Sequence, residues 1–141
     1  DNKTELKREI EDLLDFGLSE MRGVPVLTVS ALRGKGLETI LPAVREVYEA
    51  WNTHISTSAL NRWLGQATSA HPPPAPSGRR IKLRYISQPK TRPPTFVASC
   101  NRPEALPDSY KRYLINALRE DFDLWGTPIR LRLKKGDNPY A

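Results

Sequence analysis

The chain has 141 residues, 38% hydrophobic and 27% charged, a composition that suits one ordinary soluble domain or a small domain with an extension. No apolar run approaches the roughly 20 residues a bilayer crossing needs, so no membrane partner is expected. A single cysteine, Cys100, rules out an internal disulfide and a thiolate metal cluster, which points to the cytoplasm. The formal charge of +6 belongs to one half: Asp1–Ile55 holds 7 Lys/Arg against 10 Asp/Glu, whereas Ser56–Ala141 holds 15 against 6. Asp1-Asn2-Lys3-Thr4 shows neither an initiator Met nor a signal-peptide pattern, so the chain reads as part of something longer.

Leu6, Ile10, Leu13, Leu14 and Leu18 recur at helical spacing and predict a helix over about 4–21, with Thr4 as cap and Gly23 past the end. Val24-Pro25-Val26-Leu27-Thr28-Val29 is β-branched and apolar, the pattern of a buried strand in a parallel sheet. Gly34 and Gly36 punctuate a turn over Ser30 to Gly36, and Leu37, Ile40, Leu41, Val44, Val47, Tyr48 and Trp51 mark a second amphipathic helix. Pro42 must kink that helix or lie in its first turns. Helix, strand, glycine turn, helix is the closing unit of a doubly wound α/β domain, and one strand with two helices is not a whole domain.

Ser56 reads as an N-cap, with Ile55 and Leu60 as a hydrophobic staple, for a helix reaching about Ala70 through Trp63, Leu64 and Ala67. The prolines from Pro72 to Pro76 then force an extended path. Arg80-Ile81-Lys82-Leu83-Arg84-Tyr85 alternates, which puts Ile81, Leu83 and Tyr85 on one face and the basic residues on the other. Gln88 to Pro94 is expected to be a long turn, and Thr95 to Cys100 a strand with Phe96, Ala98 and Cys100 inside. Pro107 opens a helix with the stripe Tyr110, Tyr113, Leu114, Ala117, Leu118 and Phe122. The stretch from Pro128 to Lys134 alternates once more, with Ile129, Leu131 and Leu133 inside. The second half is thus α-β-β-α-β: an α+β fold of three strands with helices on one face and rows of Arg and Lys on the other.

No acidic residue occurs between Glu49 and Glu104, while Arg79, Arg80, Lys82, Arg84, Lys90, Arg92 and Arg102 crowd one stretch. Such a one-signed segment is either a solubilising surface or an electrostatic footprint for a polyanion. Catalytic constellations are poor. His54 and His71 stand alone, Cys100 alternates with core residues, and the tyrosines and tryptophans fit the helix stripes; Trp125, at a turn, has the best claim to exposure.

Several segments resemble a family. Ser30-Ala31-Leu32 before Gly34-Lys35-Gly36 resembles the fifth guanine-nucleotide motif of translational GTPases. Ala59-Leu60-Asn61-Arg62-Trp63-Leu64, His71-Pro72-Pro73-Pro74, and Gly78-Arg79-Arg80-Ile81-Lys82-Leu83-Arg84-Tyr85 follow. Then come Gln88-Pro89-Lys90-Thr91-Arg92-Pro93-Pro94-Thr95-Phe96, Arg102-Pro103-Glu104-Ala105-Leu106-Pro107-Asp108-Ser109-Tyr110 and Gly126-Thr127-Pro128-Ile129-Arg130, closing with Lys135-Gly136-Asp137-Asn138-Pro139-Tyr140. The series, over nearly all of 24–141, resembles the C-terminal region of the EngA (Der) double GTPases.

The resemblance implies that residues 1–55 close a second GTPase domain and that 56–141 form a KH-like domain, in a protein of large ribosomal subunit assembly that hydrolyses GTP with Mg²⁺. It places Ser30, Ala31 and Leu32 beside the guanine of GTP in the intact domain. No phosphate loop G-x-x-x-x-G-K-S/T occurs here, so no hydrolysis and no cofactor are expected of this chain itself. Asn2-Lys3-Thr4-Glu5 has Glu where the guanine-reading motif needs Asp and is not assigned to guanine. KH domains usually clamp RNA with a Gly-x-x-Gly loop; this sequence has no two glycines at that spacing, as is usual for EngA-type domains.

The expected partners are rRNA of the large subunit and its assembly particle, held by Arg79, Arg80, Lys82, Arg84, Lys90, Arg92, Arg130, Arg132, Lys134 and Lys135. With no aromatic platform among these residues, phosphate and shape recognition is expected rather than base readout. The alternative is a docking module, in which the same basic face, or the loop of Lys90 and Arg92, contacts the protein's own GTPase domains and senses nucleotide state.

Overall fold

The computed structural model describes residues 1–136; Asp137 to Tyr140, the end of the closing motif, lie outside the described residues. Four α-helices, α1 (Asn2–Gly17), α2 (Ile40–Asn52), α3 (Thr57–Ala70) and α4 (Asp108–Asp121), accompany three strands, β1 (Leu83–Lys90), β2 (Thr95–Cys100) and β3 (Arg130–Lys135). The order from α3 onward is α-β-β-α-β, as the periodicity predicts. β2 is central, antiparallel to β1 and parallel to β3.

Local chemistry sets the boundaries. The Ser56 hydroxyl accepts the Ala59 N–H at 3.3 Å and starts α3, and the chain leaves that helix at His71, ahead of the prolines. Ile55 and Leu60 are both buried, as a staple requires. Pro107 precedes α4 with Asp108 in the first turn, where the helix dipole favours a carboxylate. α3 and α4 press Leu60, Trp63, Leu114 and Leu118 against Ile86, Phe96, Ala98 and Cys100 on one side of the sheet, the whole sealed to within a few per cent of full burial. The Trp63 indole N–H donates to Asp121 at 2.9 Å, giving a buried ring its polar partner.

Three side-chain amides take the part of missing strands. Asn61 on α3 receives the Ile86 N–H and donates to the Ile86 carbonyl, closing the free edge of β1. Gln88, itself buried, accepts from Ile55 N–H at 2.7 Å and donates to the Thr53 carbonyl at 2.8 Å, so it clamps the linker between α2 and α3. Asn101 accepts from Lys82 N–H and donates to the Arg80 carbonyl. Each satisfies backbone groups that would otherwise lie unpaired near the core.

The first region departs from expectation in three ways. α1 ends at Gly17, with only a single 3₁₀ turn at Ser19–Met21, and its cap is Asp1, whose carboxylate accepts the Lys3 N–H at 3.4 Å, not Thr4. Val24 to Val29 is extended but forms no ladder; the one bridge nearby joins Ser30 to Lys35. Leu27 and Val29 are 40% and 45% exposed, so the segment is not a buried strand: among the described residues no strand lies beside it to accept its hydrogen bonds. The second helix begins as a 3₁₀ turn at Leu37–Thr39 rather than as α-helix; Pro42, as one of the two expected outcomes, falls in the first turn of α2, where its missing N–H costs nothing.

In the sheet, the expected long turn from Gln88 is shorter. β1 continues to Lys90, and only residues 91–94 turn. The alternation also breaks. Leu83 pairs with Cys100 but Tyr85 with Ser99, so Arg84 is an extra residue in a β-bulge. The bulge moves Tyr85 out of the core face, where Ile86 and Gln88 take over; Tyr85 is 49% exposed.

Candidate nucleic-acid interface

The helices cover one side of the sheet and leave the other open. Register defines what the open side carries. Thr95, Val97 and Ser99 of β2 pair in turn with Arg130, Arg132 and Lys134 of β3, so these three cations stand in one row spanning roughly 13 Å along the strand. All three, and Lys135 beyond them, are exposed. On the β1 side, Lys90 pairs with Thr95 and lies across it from Arg130, while Tyr85 pairs with Ser99 and lies across it from Lys134. The only ion pair among the described residues is Lys7 with Glu11 on α1, so no described carboxylate neutralises this row.

The other expected contacts divide. Arg79, Arg80 and Lys82 are exposed but precede β1, so they do not continue the open face; Arg80 and Lys82 line a groove with Thr68 and Pro73 at the edge of α3. Arg84, exposed by the bulge, joins the open face beside Tyr85. Arg92 is engaged within the chain. Its guanidinium lies 5.5 Å from the Trp51 ring centroid, bonds the Asn52 side chain, and reaches the Tyr48 hydroxyl at 3.4 Å. The Arg92 N–H donates to the Trp51 carbonyl at 3.0 Å as well. Arg92 is a tie between the β1–β2 turn and α2, a role it has whether or not it also meets RNA. The expectation that no aromatic ring interleaves the cations is corrected, because Tyr85 stands among them.

Sequence reasoning passed over Arg119. It is 1% exposed near the end of α4. One terminal nitrogen donates to the Leu124 and Thr127 carbonyls at 2.8 and 2.6 Å, and the other to the Glu20 carbonyl at 3.0 Å. Burial pushes its pKa down, Arg22 nearby adds to this, and Asp15 opposes it. Close by, Gly126 N–H donates to the Arg22 carbonyl at 2.8 Å, and the Trp125 ring, 41% exposed, covers Gly23. These contacts, with Arg92 and Gln88, join the first region to the second. Arg119 was detectable: it sits four residues after Ile115 and three before Phe122, on the edge of an apolar stripe.

The turn carrying Ser30, Ala31 and Leu32 is pinned rather than loose. Ser30 N–H donates to the Lys35 carbonyl at 2.8 Å, and its hydroxyl accepts the Arg33 N–H at 3.3 Å. Gly36, at φ +83°, lies so close to Thr28 that a Cβ would sit 2.5 Å from that carbonyl oxygen, so only glycine fits. Ala31 and Leu32 project outward, Leu32 at 96% exposure. The sequence holds no phosphate loop G-x-x-x-x-G-K-S/T to go with this turn, so the residues present do not by themselves fit GTP with Mg²⁺. Cys100 is buried, with its thiol pKa raised by desolvation, as suits a core residue.

An α-β-β-α-β domain with a mixed three-stranded sheet, helices on one face and a cationic row on the other is of the KH-like class of fold. A family profile described as the C-terminal KH-domain-like region of EngA bacterial GTPase enzymes matches residues 54–134. The chain is 52% identical over 142 residues to the GTPase Der of Dinoroseobacter shibae, with 99% of the chain and 29% of that protein aligned. The corresponding figures for the GTPase Der of Jannaschia sp. are 52% over 145 residues, 99% and 30%; for that of Azorhizobium caulinodans they are 55% over 127 residues, 90% and 28%. The chain belongs to the EngA (Der) family, and it spans less than a third of the length of these curated relatives.

Proposed function

We propose that this chain is the RNA-facing end of a double GTPase that acts in assembly of the large ribosomal subunit. Residues 56–141 form the KH-like domain that binds rRNA, and residues 1–55 complete a second GTPase domain whose remaining parts bind and hydrolyse GTP with Mg²⁺ in the cytoplasm. The single observation that carries the RNA reading is the row of Arg130, Arg132 and Lys134 on the open sheet face, to which no described carboxylate is paired. Each arginine presents a planar fork suited to phosphate, and each contact releases a condensed counterion. Lys90, Lys135 and Arg84 extend the row at its two ends.

The shape of the first region supports its assignment to a larger α/β domain. Pro25, Leu27, Ile40, Val44, Val47 and Trp51 line an open apolar groove of about 530 Å³ between the extended segment and α2. An apolar groove of that size on a helix face calls for a packing partner, and a parallel sheet continuing beyond Val24–Val29 has the right chemistry. The pinned turn at Ser30 then lies at the end of that segment, where ligands of open α/β sheets bind.

Binding of the chain to large-subunit rRNA across a salt series tests the reading. Affinity falls steeply with salt, and Arg132→Glu with Lys134→Glu lowers the log–log slope by about 2 and weakens binding at least tenfold. Absence of binding at low salt, together with binding to the separated GTPase domains, overturns it in favour of docking.

A further inference from the structure

At the bulged end of the open face the cations surround a feature that a phosphate-only interface leaves unused. Arg84, Tyr85, Ser99, Asn101, Lys134 and Lys135 line a cleft of about 510 Å³, within the size range of small-ligand sites. Tyr85 presents about half its surface there, although aromatic rings are normally driven into cores. The cause is local: the extra residue at Arg84 turns both side chains to the solvent side, so a ring and a guanidinium leave the same short stretch of β1 together. Across Ser99, Lys134 supplies the opposing charge, with Lys135 next to it. The polar groups that could read base edges are few. The Asn101 amide is already bonded to the backbone of Lys82 and Arg80, which leaves the hydroxyls of Ser99 and Tyr85.

We infer that this cleft holds one unpaired RNA nucleotide, its base stacked on the Tyr85 ring and its flanking phosphates on Arg84, Lys134 and Lys135. The inference rests on the RNA reading above and adds to it a preference for single-stranded over duplex RNA. A paired base lies inside its helical stack and has no free face for the ring, whereas any unpaired base does. With only two hydroxyls to meet a base edge, the site tolerates all four bases.

The test uses the full chain and two labelled probes: a short oligouridylate with a central 2-aminopurine, and a blunt RNA duplex of the same length. Single-strand binding quenches the 2-aminopurine. Tyr85→Ala lowers single-strand affinity about tenfold or more and abolishes the quench, while duplex affinity and the thermal midpoint stay unchanged. Tyr85→Phe, which keeps the ring, retains both affinity and quench. If Tyr85→Ala leaves single-strand binding and quenching intact while Arg132→Glu weakens both probes, the RNA reading stands and the nucleotide cleft is overturned. If neither probe binds at low salt, the RNA reading fails and the cleft fails with it.

Discussion

From Thr57 to Lys135 the chain buries most of its large apolar side chains, Tyr85 and Trp125 excepted, whereas from Asn2 to Trp51 it displays most of them. Leu60, Phe96, Leu118 and Leu124 are 0% exposed; Phe16 is 89% and Leu41 77% exposed, and α1 has no buried residue. Both regions show the same helical periodicity of apolar residues. Periodicity therefore marks a face that needs covering, and only α3 and α4 find their cover within these residues. The two regions meet through polar and backbone contacts, Arg119 to Glu20, Gly126 to Arg22 and Arg92 to Asn52, instead of through a continuous core.

The contrast breaks most sharply at two phenylalanines. Phe96→Ala removes a fully buried ring and should cost about 3–5 kcal/mol in denaturant unfolding. Phe16→Ala should change stability by less than about 0.5 kcal/mol. A loss at Phe16 matching that at Phe96 would show that the first region has a core of its own. Next in size is Arg119→Ala, which strips two buried carbonyls and a part-buried one of their donor and should cost about 3 kcal/mol. Arg119→Lys should not restore it, since one ammonium cannot bond Leu124 and Thr127 on one side and Glu20 on the other. In both variants, hydrogen exchange at the Gly126 amide should accelerate if Arg119 holds the junction closed.

The KH-like half was legible because its signals are local. The Ser56 cap, the proline run, Pro107 and three stretches of alternation each act within a few residues. The bulge at Arg84 was missed because alternation from Arg80 to Tyr85 looks unbroken; the clue was the adjacent apolar pair Tyr85-Ile86, which no regular strand places on one face. That one residue decides which side chains the candidate site contains. The structural tie made by Arg92 is not legible in sequence because its partners, Tyr48 and Asn52, lie some forty residues away, on the far side of the linker. Val24 to Val29 has real strand propensity, but a strand needs a neighbour, and sequence pattern cannot show whether one is at hand.

Two smaller effects sharpen the boundary between the regions. Gly23 adopts φ +78°, and a Cβ there would meet the Trp125 ring at 2.8 Å. Gly23→Ala should therefore cost about 1–2 kcal/mol through strain and a displaced ring, visible as a shift in Trp fluorescence. At the other end of the KH-like core, burial pushes the Tyr110 hydroxyl up to about 12, with Tyr113 adding to it, while it donates to the His71 carbonyl at 2.7 Å. The fold favours the protonated phenol. Its contribution is complete below the unfolded value near 10 and disappears as pH rises through about 12. Tyr110→Phe forfeits that hydrogen bond, at about 1 kcal/mol, at neutral pH. Unfolding free energies measured on both proteins should converge between pH 10 and 12; curves that stay parallel would mean that Tyr110 ionises in the folded domain as readily as in the open chain.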